Sequence, residues 1–267
     1  MKHVIVTGAF GGMGKAVVNK LVEEGFFVFA LDRKVCNDFY GDNVLPIEVD
    51  LTDENSIVNA FNTVKNITDN VYAIMHFAGI YMLDSMVEIS ESEFVKAFNV
   101  NVFSVYRVNK IFLPLMNSGS KILITTSELA PLDPLPFTGL YAVTKSTLSK
   151  YAFSLAMELQ LLGIKVIELR PGAVKTDMLG VSTSALDKFC DNTALYKCNA
   201  ERFKKIVNSV EAKNVLPQKI AKKAVNVIVK KKPKLVYKIN RNKLLLLLNV
   251  LPKRLQLFII KLILRKK

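Results

Sequence analysis

Several residue types are scarce in this chain of 267 residues, and each scarcity excludes a class of site. Only two histidines are present, and the three cysteines, Cys36, Cys190 and Cys198, lack the spacings of metal ligands. A zinc site is therefore not expected, and no metal is predicted. No signal peptide is recognisable at the N-terminus, so the cysteines are expected to be reduced thiols in a cytoplasmic protein.

The chain also lacks long apolar runs, and acidic residues are missing from its C-terminal part. No segment reaches the roughly 18–20 consecutive apolar residues that a membrane-spanning helix needs. Residues 213–267 carry 17 basic side chains and no acidic one, whereas residues 1–212 have a net charge of −3. The net charge of +14 therefore comes entirely from the last 55 residues.

Apolar residues alternate with this positive charge, at residues 244–248 and 255–264. One interpretation is an amphipathic anchor on an anionic membrane surface. Another is an arm that packs on the substrate pocket or on a partner subunit while its lysines stay solvated. Nucleic-acid binding is disfavoured, because five consecutive leucines suit lipid or protein better than phosphate. The membrane is favoured, because charge and apolar residues coincide.

Apolar segments alternate with helical stretches through most of the chain. Strands are predicted near residues 3–6, 26–31, 44–49, 71–76, 121–126, 164–169 and 235–237. This alternation predicts an α/β fold, with a doubly wound parallel sheet (Rossmann fold) covered by helices on both faces. We expect a single dinucleotide-binding catalytic domain over residues 1–240, followed by a basic amphipathic tail over residues 241–267.

A glycine-rich turn follows the first predicted strand. It contains Thr7, Gly8, Gly12, Met13 and Gly14, and a helical stretch begins within it. Glycines at this point let the chain turn tightly and let a pyrophosphate approach the helix N-terminus, whose free N–H groups and dipole favour anions. A flexible turn without a ligand is the alternative, but the strand before it and the helix after it favour a dinucleotide loop.

An acidic residue ends the second predicted strand at the distance expected for such a loop. Asp32 lies 18 residues beyond Gly14, near the ~20-residue spacing of a carboxylate that binds a ribose 2′-hydroxyl. A carboxylate there repels a 2′-phosphate, so NAD is predicted in preference to NADP. Arg33 and Lys34 follow directly and could weaken this preference.

A tyrosine and a lysine are spaced for joint proton transfer. Tyr141 and Lys145 lie four residues apart, which puts them on one face of a helix. A tyrosine with an ordinary pKa near ~10 is a poor base at neutral pH. We expect the lysine ammonium to stabilise the phenolate and to lower this pKa. Ser127 lies upstream at the end of an apolar segment, which gives the pair a hydroxyl partner.

These residues together resemble the short-chain dehydrogenase/reductase family over roughly residues 2–240. Thr7, Gly8, Gly12 and Gly14 match its cofactor loop, and Asp50 and Leu51 match its adenine-contacting pair. Asn101, Ser127, Tyr141 and Lys145 match its catalytic tetrad, and residues 170–176, with Pro171, Gly172, Val174 and Thr176, match its nicotinamide-side motif. The resemblance implies that Thr176 contacts the carboxamide of the nicotinamide.

The chain departs from the family pattern at two places. Residues 76–79 read His-Phe-Ala-Gly where the family has Asn-Asn-Ala-Gly, so Ala78 and Gly79 are retained as cofactor contacts. His76 is interpreted as a structural substitute rather than a catalyst. Ser127 stands 14 residues before Tyr141 where 13 is common, which would make Glu128 the alternative. A carboxylate donates no hydrogen bond to a carbonyl unless it is protonated, so Ser127 is preferred.

The resemblance implies an NAD(P)-dependent oxidoreductase that transfers a hydride between the cofactor and an alcohol or ketone. Tyr141 would be the general acid/base, and Lys145 would also hold the nicotinamide ribose. Ser127 would hydrogen-bond the substrate oxygen, and Asn101 would position a water that relays the proton. In such enzymes long apolar helices, here about 97–116 and the one carrying Tyr141, pack against a second subunit, which implies a homodimer or homotetramer.

The expected pocket segments are mostly apolar. Residues 81–83, 131–137 and 178–181 are predicted to line the pocket, or else to be packed loops that shield the cofactor. A pocket of this kind suits a hydrophobic secondary alcohol or ketone, such as a steroid, bile acid, retinoid or fatty-acyl derivative. A noncatalytic NAD-binding regulator and a nucleotide-sugar epimerase or dehydratase stay as alternatives. The complete tetrad argues against the first, and the missing C-terminal substrate domain argues against the second.

Overall fold

A seven-stranded parallel sheet forms the centre of the protein in a computed structural model. This structure describes residues 1–35, 41–175, 177–211 and 214–265, without the side chains of 177–184 and 209–211. The strands are His3–Thr7 (β1), Phe27–Asp32 (β2), Val44–Glu48 (β3), Val71–His76 (β4), Lys121–Thr125 (β5), Lys165–Pro171 (β6) and Val236–Ile239 (β7). The predicted fold class is confirmed, and each predicted strand lies within two residues of the observed one.

The strand order creates a ligand site at one edge of the sheet. The order is β3-β2-β1-β4-β5-β6-β7, so the direction of winding reverses between β1 and β4. In doubly wound sheets the crevice outside the carboxyl ends of the strands at this reversal binds ligands. The glycine turn after β1 and the segment after β4 therefore meet where a ligand is expected.

Helices cover both faces of the sheet. They are Gly12–Glu23 (α1), Glu54–Lys65 (α2), Glu91–Phe98 (α3), Ser104–Phe112 (α4), Gly139–Leu159 (α5), Asp177–Asn192 (α6), Lys197–Glu211 (α7), Pro217–Ile228 (α8), Lys243–Val250 (α9) and Lys253–Leu264 (α10). Side chains alternate along β1: Val4 and Val6 pack with α1 and α8, whereas Ile5 packs with α2, α4 and α5. Burial on both faces explains why the strands read as continuous apolar runs.

The helix predicted for about residues 97–116 is wrong at its start and in its regularity. It begins six residues earlier, where the Ser90 hydroxyl accepts a hydrogen bond from the N–H of Glu93 and caps α3. Serine followed three residues later by glutamate is a helix-start signal that lies outside the apolar pattern. A π-helical turn at Asn99–Phe103 then separates α3 from α4, and a 3₁₀ turn at Leu113–Leu115 ends the run.

A third apolar cluster lies beside the sheet and joins α6, α7 and α10. Leu83, Phe137, Phe189, Phe203 and Leu264 are buried together in it. The cluster connects the segment after β4 with the C-terminal helices, although these parts are far apart in sequence. It therefore forms an apolar wall between the sheet edge and α10.

Helices α9 and α10 are also attached to the loop after β5 by polar contacts. The Asn242 N–H donates to Glu128 Oε2 at 2.6 Å, and the Asp133 N–H donates to Asn249 Oδ1 at 2.9 Å. The Lys253 ammonium forms an ion pair with Asp133. In the described part of the chain, no helix has both the length and the apolar character needed to cross a bilayer.

Candidate active site

A cleft of about 1230 Å³ opens at the carboxyl ends of β1, β2 and β4. One end is formed by the glycine turn, Asp32, Asp50 and Leu51, and the middle by Ala78 and Gly79. The other end is lined by residues 81–84 and by Phe189 of α6. Its volume is large enough for a dinucleotide with a further ligand beside it.

The glycine turn packs closely on the segment after β4. Gly8 has φ of +66°, and a Cβ atom on it would lie 2.5 Å from the backbone nitrogen of Ala78. A Cβ on Gly14 would collide with the carbonyl oxygen of Gly8. Gly12 and Met13 open α1 and line the cleft, so the helix N-terminus faces it without an acidic residue in its first turn. These residues fit a bound pyrophosphate, whereas Thr7 is buried at the end of β1.

Two carboxylates shape the end of the cleft where the adenosine is expected. Asp32 accepts the N–H of Phe10 at 2.9 Å and that of Arg33 at 2.7 Å, which holds its carboxylate against the glycine turn. Asp50 accepts the N–H and the hydroxyl of Thr52, and these hydrogen bonds lower its pKa. Arg33 and Lys34 line the same end. The site thus offers both a carboxylate and two cations near the ribose position.

Asn101 connects two of the segments that carry predicted site residues. Its Oδ1 accepts the N–H of Ile80 at 2.8 Å, and its Nδ2 donates to the Ile80 carbonyl at 3.0 Å and to Thr144 Oγ1 at 3.1 Å. The π-helical turn carries Asn101 to this position between the segment after β4 and helix α5. The amide therefore fixes the backbone beside Gly79 and the helix turn that bears Lys145.

Lys145 is buried at the centre of this arrangement. Its ammonium donates to the Thr125 carbonyl at 3.2 Å and lies 5.7 Å from the ring centroid of Tyr141. A Cβ atom on Gly79 would lie 3.5 Å from Lys145 Nζ, so the ammonium adjoins the cleft floor. Burial lowers the pKa of Lys145 to about 8.

The pKa of Tyr141 differs from the expectation. Burial raises it to about 12, and a hydrogen bond with Ser127 acts in the opposite direction. We expected Lys145 to lower this pKa, but the lysine donates to the Thr125 carbonyl and desolvation of the phenolate dominates. Tyr141 is consequently protonated at neutral pH, which is the form that donates a proton.

Tyr81 separates Tyr141 from the cleft. The two rings meet edge to face, with centroids 4.7 Å apart and an interplanar angle of 67°. Tyr81 lines the cleft, whereas Ser127, Tyr141 and Lys145 are not among the described residues that do so.

The segments after β5 and β6 lie side by side. Ser127 Oγ accepts the N–H of Leu129, and the Glu128 N–H donates to the Pro171 carbonyl. The Glu128 carboxylate faces Asn242 of the tail, so Ser127 rather than Glu128 meets Tyr141.

Gly172 bonds to Ile239 of β7, and Val174 pairs with Val215. Thr176, and Cys36 among the cysteines, lie outside the described residues.

The predicted pocket segments have different positions. Residues 81–83 line the cleft. Within residues 131–137, Asp133 contacts the tail and Phe137 packs on Phe189, so among the described residues this segment forms the outer wall rather than the lining. The side chains of residues 178–181 lie outside the described part of the chain.

His76 makes a structural hydrogen bond. Its Nε2 lies 2.8 Å from Asn109 Oδ1, and the Asn109 amide donates to the Tyr151 hydroxyl. Burial lowers the His76 pKa to about 4, so the ring is neutral and donates to the amide oxygen. Strand β4 is thereby joined to α4 and α5 behind the catalytic cluster. Within the described ranges, no group of three His, Cys, Asp or Glu side chains could hold a metal ion.

A buried ion pair supports α5 and was missed at the level of sequence. Arg170 Nε donates to Glu168 Oε1 at 2.7 Å, and Arg170 Nη2 donates to Ser149 Oγ at 3.0 Å. Thr126 also donates to Glu168. This network joins the ends of β5 and β6 to the helix one turn after Lys145. The signal for it was Glu168, a charged residue within an otherwise apolar strand, which needs a buried partner.

A parallel sheet with this strand order, and with a cleft where the winding reverses between β1 and β4, is typical of Rossmann-fold dinucleotide-binding proteins. The family model for the short chain dehydrogenases matches residues 2–187 of the chain. The chain therefore belongs to the short-chain dehydrogenase family, as the resemblance predicted.

Individual relatives extend this result. Estradiol 17-beta-dehydrogenase 2 of Mus musculus is 33% identical over 193 residues, which cover 67% of this chain and 50% of that protein. The chain thus spans about half the length of this relative and of its Rattus norvegicus counterpart. The NADPH-dependent 3-dehydrocapnine reductase of Ornithobacterium rhinotracheale is 26% identical, with coverages of 92% and 90%. A crystal structure of a short chain dehydrogenase family protein from Francisella tularensis matches with a TM-score of 0.75 at 25% identity, covering 90% and 97%.

Proposed function

We propose that the protein is an oxidoreductase that transfers a hydride between NAD(H) and a hydrophobic secondary alcohol or ketone. The observation that carries this proposal is the cluster of half-buried Tyr141 with buried Lys145 and Ser127, whose lysine adjoins the floor of the dinucleotide cleft. A proton donor at this position serves the oxygen of a carbonyl whose carbon faces the cofactor. A bound nicotinamide supplies or accepts the hydride.

The residues have distinct roles in this reaction. Tyr141, protonated at neutral pH, donates its hydroxyl proton to the carbonyl oxygen during reduction and accepts it during alcohol oxidation. The Lys145 ammonium favours the phenolate that forms when the proton leaves. Ser127 donates a hydrogen bond to the substrate oxygen, and Asn101 positions the backbone of Ile80 next to this centre.

The substrate is proposed to be lipid-like. Tyr81, Met82, Leu83 and Phe189 give the substrate end of the cleft an apolar wall, although Asp84 and Lys188 also line it. Such a wall favours a steroid, bile acid, retinoid or fatty-acyl derivative over a sugar nucleotide, which needs polar partners. The name of the mouse relative, an estradiol dehydrogenase, supports a hydroxysteroid dehydrogenase-like role in lipid metabolism.

NAD is proposed as the cofactor in preference to NADP. The Asp32 carboxylate is held at the expected ribose position by two backbone N–H groups. Each of its oxygens retains a lone pair for a ribose hydroxyl, whereas a 2′-phosphate would meet a like charge. Arg33 and Lys34 oppose this preference, and the Ornithobacterium relative is named as NADPH-dependent.

A panel of hydrophobic ketones and sugar nucleotides, each assayed with NADH and with NADPH, tests the proposal. Oxidation of NADH by at least one hydrophobic ketone is the expected result, and it would appear as loss of cofactor fluorescence. Turnover of sugar nucleotides alone would favour the epimerase or dehydratase alternative. Tight NADH binding without turnover of any compound would favour the noncatalytic regulator.

The proposed assembly is a homodimer or homotetramer. Phe103 and Tyr106 near α4 and Phe153, Met157 and Leu161 on and after α5 are exposed apolar side chains. An apolar face of this kind is typical of a subunit interface. Residues 1–240 are proposed as the catalytic domain of a cytoplasmic protein, and residues 241–267 as a tail that makes peripheral contact with an anionic membrane. Nucleic acid is not a proposed partner.

A further inference from the structure

Helices α9 and α10 expose large apolar side chains of the kind that the sheet body mostly buries. Eight large apolar side chains of this segment are more than 40% exposed: Leu244, Leu247, Val250, Leu255, Leu257, Phe258, Leu262 and Ile263. On α9 they recur every three residues, and on α10 Phe258 and Leu262 are four residues apart. These spacings put the three α9 side chains on one outward face of that helix, and Leu255, Phe258 and Leu262 on one outward face of α10, with Leu257 and Ile263 exposed beside it. We call this surface the tail face.

The opposite side of the same helices is attached to the body of the protein. Gln256, Ile260 and Leu264 recur every four residues along α10, and Ile260 and Leu264 pack in the cluster with Phe203. The Asn199 amide also donates to the Leu264 carbonyl at 2.5 Å. The tail face is therefore the solvent side of a packed structure.

Positive charge surrounds the tail face. Residues 241–267 contain eight basic side chains and no acidic one. Lys243 on α9 and Arg254, Lys261 and Arg265 on or next to α10 are exposed. Lys261 follows Phe258 by one turn and precedes Leu262, so cations and apolar side chains share the same surface.

We propose that the tail face docks on an anionic lipid bilayer. Exposed leucine, phenylalanine and isoleucine side chains enter the boundary between headgroups and acyl chains, and the basic residues meet the anionic headgroups. A second copy of the chain is a poorer occupant, because two tail segments would bring sixteen basic side chains together, although Asp133 pairs with Lys253 in each copy. Phosphate alone gives no partner for the apolar side chains.

The inference deepens the membrane contact of the proposed function but does not depend on the hydride-transfer chemistry. The wall that holds α10 contains Leu83 and Phe189, which also line the cleft. Docking would therefore hold the substrate end of the cleft close to the lipid. A substrate dissolved in the bilayer would have a short path to the site.

The chain contains no tryptophan, which allows a direct test. Leu247→Trp on α9 and Phe258→Trp on α10 each introduce a single fluorescent reporter in the full-length protein. Ile67→Trp, at a half-exposed position after α2, is the matched control. Each protein is mixed with vesicles of phosphatidylcholine containing phosphatidylglycerol, and separately with pure phosphatidylcholine vesicles. Because the two tail reporters lie on different helices, a folding defect of one variant leaves the other informative.

With the anionic vesicles, we expect the fluorescence of both tail reporters to shift to shorter wavelength and to be quenched by brominated acyl chains. The Ile67→Trp protein should show neither change. High salt should reverse part of this signal. The paired change Phe258→Gln and Leu262→Gln, which keeps the charge, should remove the vesicle binding that survives high salt. Three outcomes would overturn the proposal: no shift in either tail reporter, an equal shift at Ile67→Trp, or a shift without vesicles that grows with protein concentration, which would indicate self-association.

Discussion

The sheet body and the C-terminal helices use the same residue types in opposite surroundings. In the body, Glu168 and Arg170 form an ion pair whose side chains are only 3% and 15% exposed, with Thr126 and Ser149 as further partners. In the tail, Lys253 pairs with Asp133 while its side chain is 70% exposed. Leu21, Leu31 and Leu123 are likewise fully buried in the body, whereas Leu244, Leu247 and Leu257 of the tail are exposed. The body therefore buries its charged and apolar side chains against partners, whereas the tail leaves several of them in contact with solvent.

The largest effect is expected at the most buried part of this contrast. Tyr141→Phe should lower kcat by about 10²–10⁴ while NADH binding stays nearly unchanged, because it removes one proton donor and little packing. Steady-state kinetics on an identified ketone measure it. Tyr151→Phe, the same change on the same helix, is the control and should keep kcat. Near wild-type kcat in the Tyr141→Phe enzyme would contradict the assigned role.

The two ion pairs test the comparison directly. Arg170→Met should cost about 3–5 kcal/mol of unfolding free energy, because it leaves the Glu168 carboxylate buried without its partner. Lys253→Met should cost about 0–1 kcal/mol, since water replaces the lost contact at the surface. Urea unfolding of both variants measures the difference. Equal costs would show that the tail pair is as important to stability as the body pair.

A pH-dependent stability is expected from His76. Its pKa in the folded protein is about 4, below the ordinary 6.5, so the unfolded chain binds the proton first as the pH falls. The stability that depends on a neutral His76 is fully present above pH 6.5. As the pH falls from 6.5 to 4, the free energy of unfolding decreases by about 3 kcal/mol in total. Thermal unfolding of the wild type and of His76→Gln across this range should diverge, because the glutamine amide nitrogen reaches about the position of Nε2 and can keep the bond to Asn109 without titrating. Parallel curves would contradict the neutral buried ring.

The smallest effect concerns a body residue that faces the open cleft. Asp32→Ala should lower the ratio of kcat/KM for NADH to that for NADPH by about tenfold, equivalent to about 1.4 kcal/mol. The preference for NADH would then be narrower or reversed. Removal of the carboxylate relieves the repulsion of a 2′-phosphate and leaves Arg33 to attract it. The ratio of kcat/KM for the two cofactors measures the change, and Asp50→Ala is a matched carboxylate control. A wild-type enzyme that prefers NADPH would show that Arg33 and Lys34 dominate.

Short-range patterns predicted most of the fold. The seven strands and the glycine turn could be read from the sequence because strands buried on both faces are continuous apolar runs, and because Gly8 and Gly14 leave no room for a Cβ atom. The spacing of Tyr141 and Lys145 within one helix predicted their proximity for the same local reason. None of these inferences required knowledge of a distant contact.

The remaining features depend on contacts between distant segments. The hydrogen bond between Asp133 and Asn249 joins residues 116 positions apart, and no periodicity of the sequence predicts it. The raised pKa of Tyr141 likewise follows from its burial behind Tyr81, which the spacing of Tyr141 and Lys145 does not encode. Two signals were present in the sequence and were missed: Glu168 within an apolar strand, and Ser90 three residues before Glu93 at the start of α3.

The positions of two asparagine side chains depend on the number of residues in the π-helical turn at Asn99–Phe103. Asn101, within the turn, bonds to Ile80, and Asn109, eight residues later, bonds to His76. A π-helical turn holds one residue more than the α-helical turn that spans the same stretch, so deleting one residue within it should restore ordinary winding and leave Asn109 opposite His76. The turn itself would tighten and move Asn101 away from Ile80 and Thr144. For protein engineering, a one-residue deletion here should therefore break the contacts of one asparagine and spare those of the other.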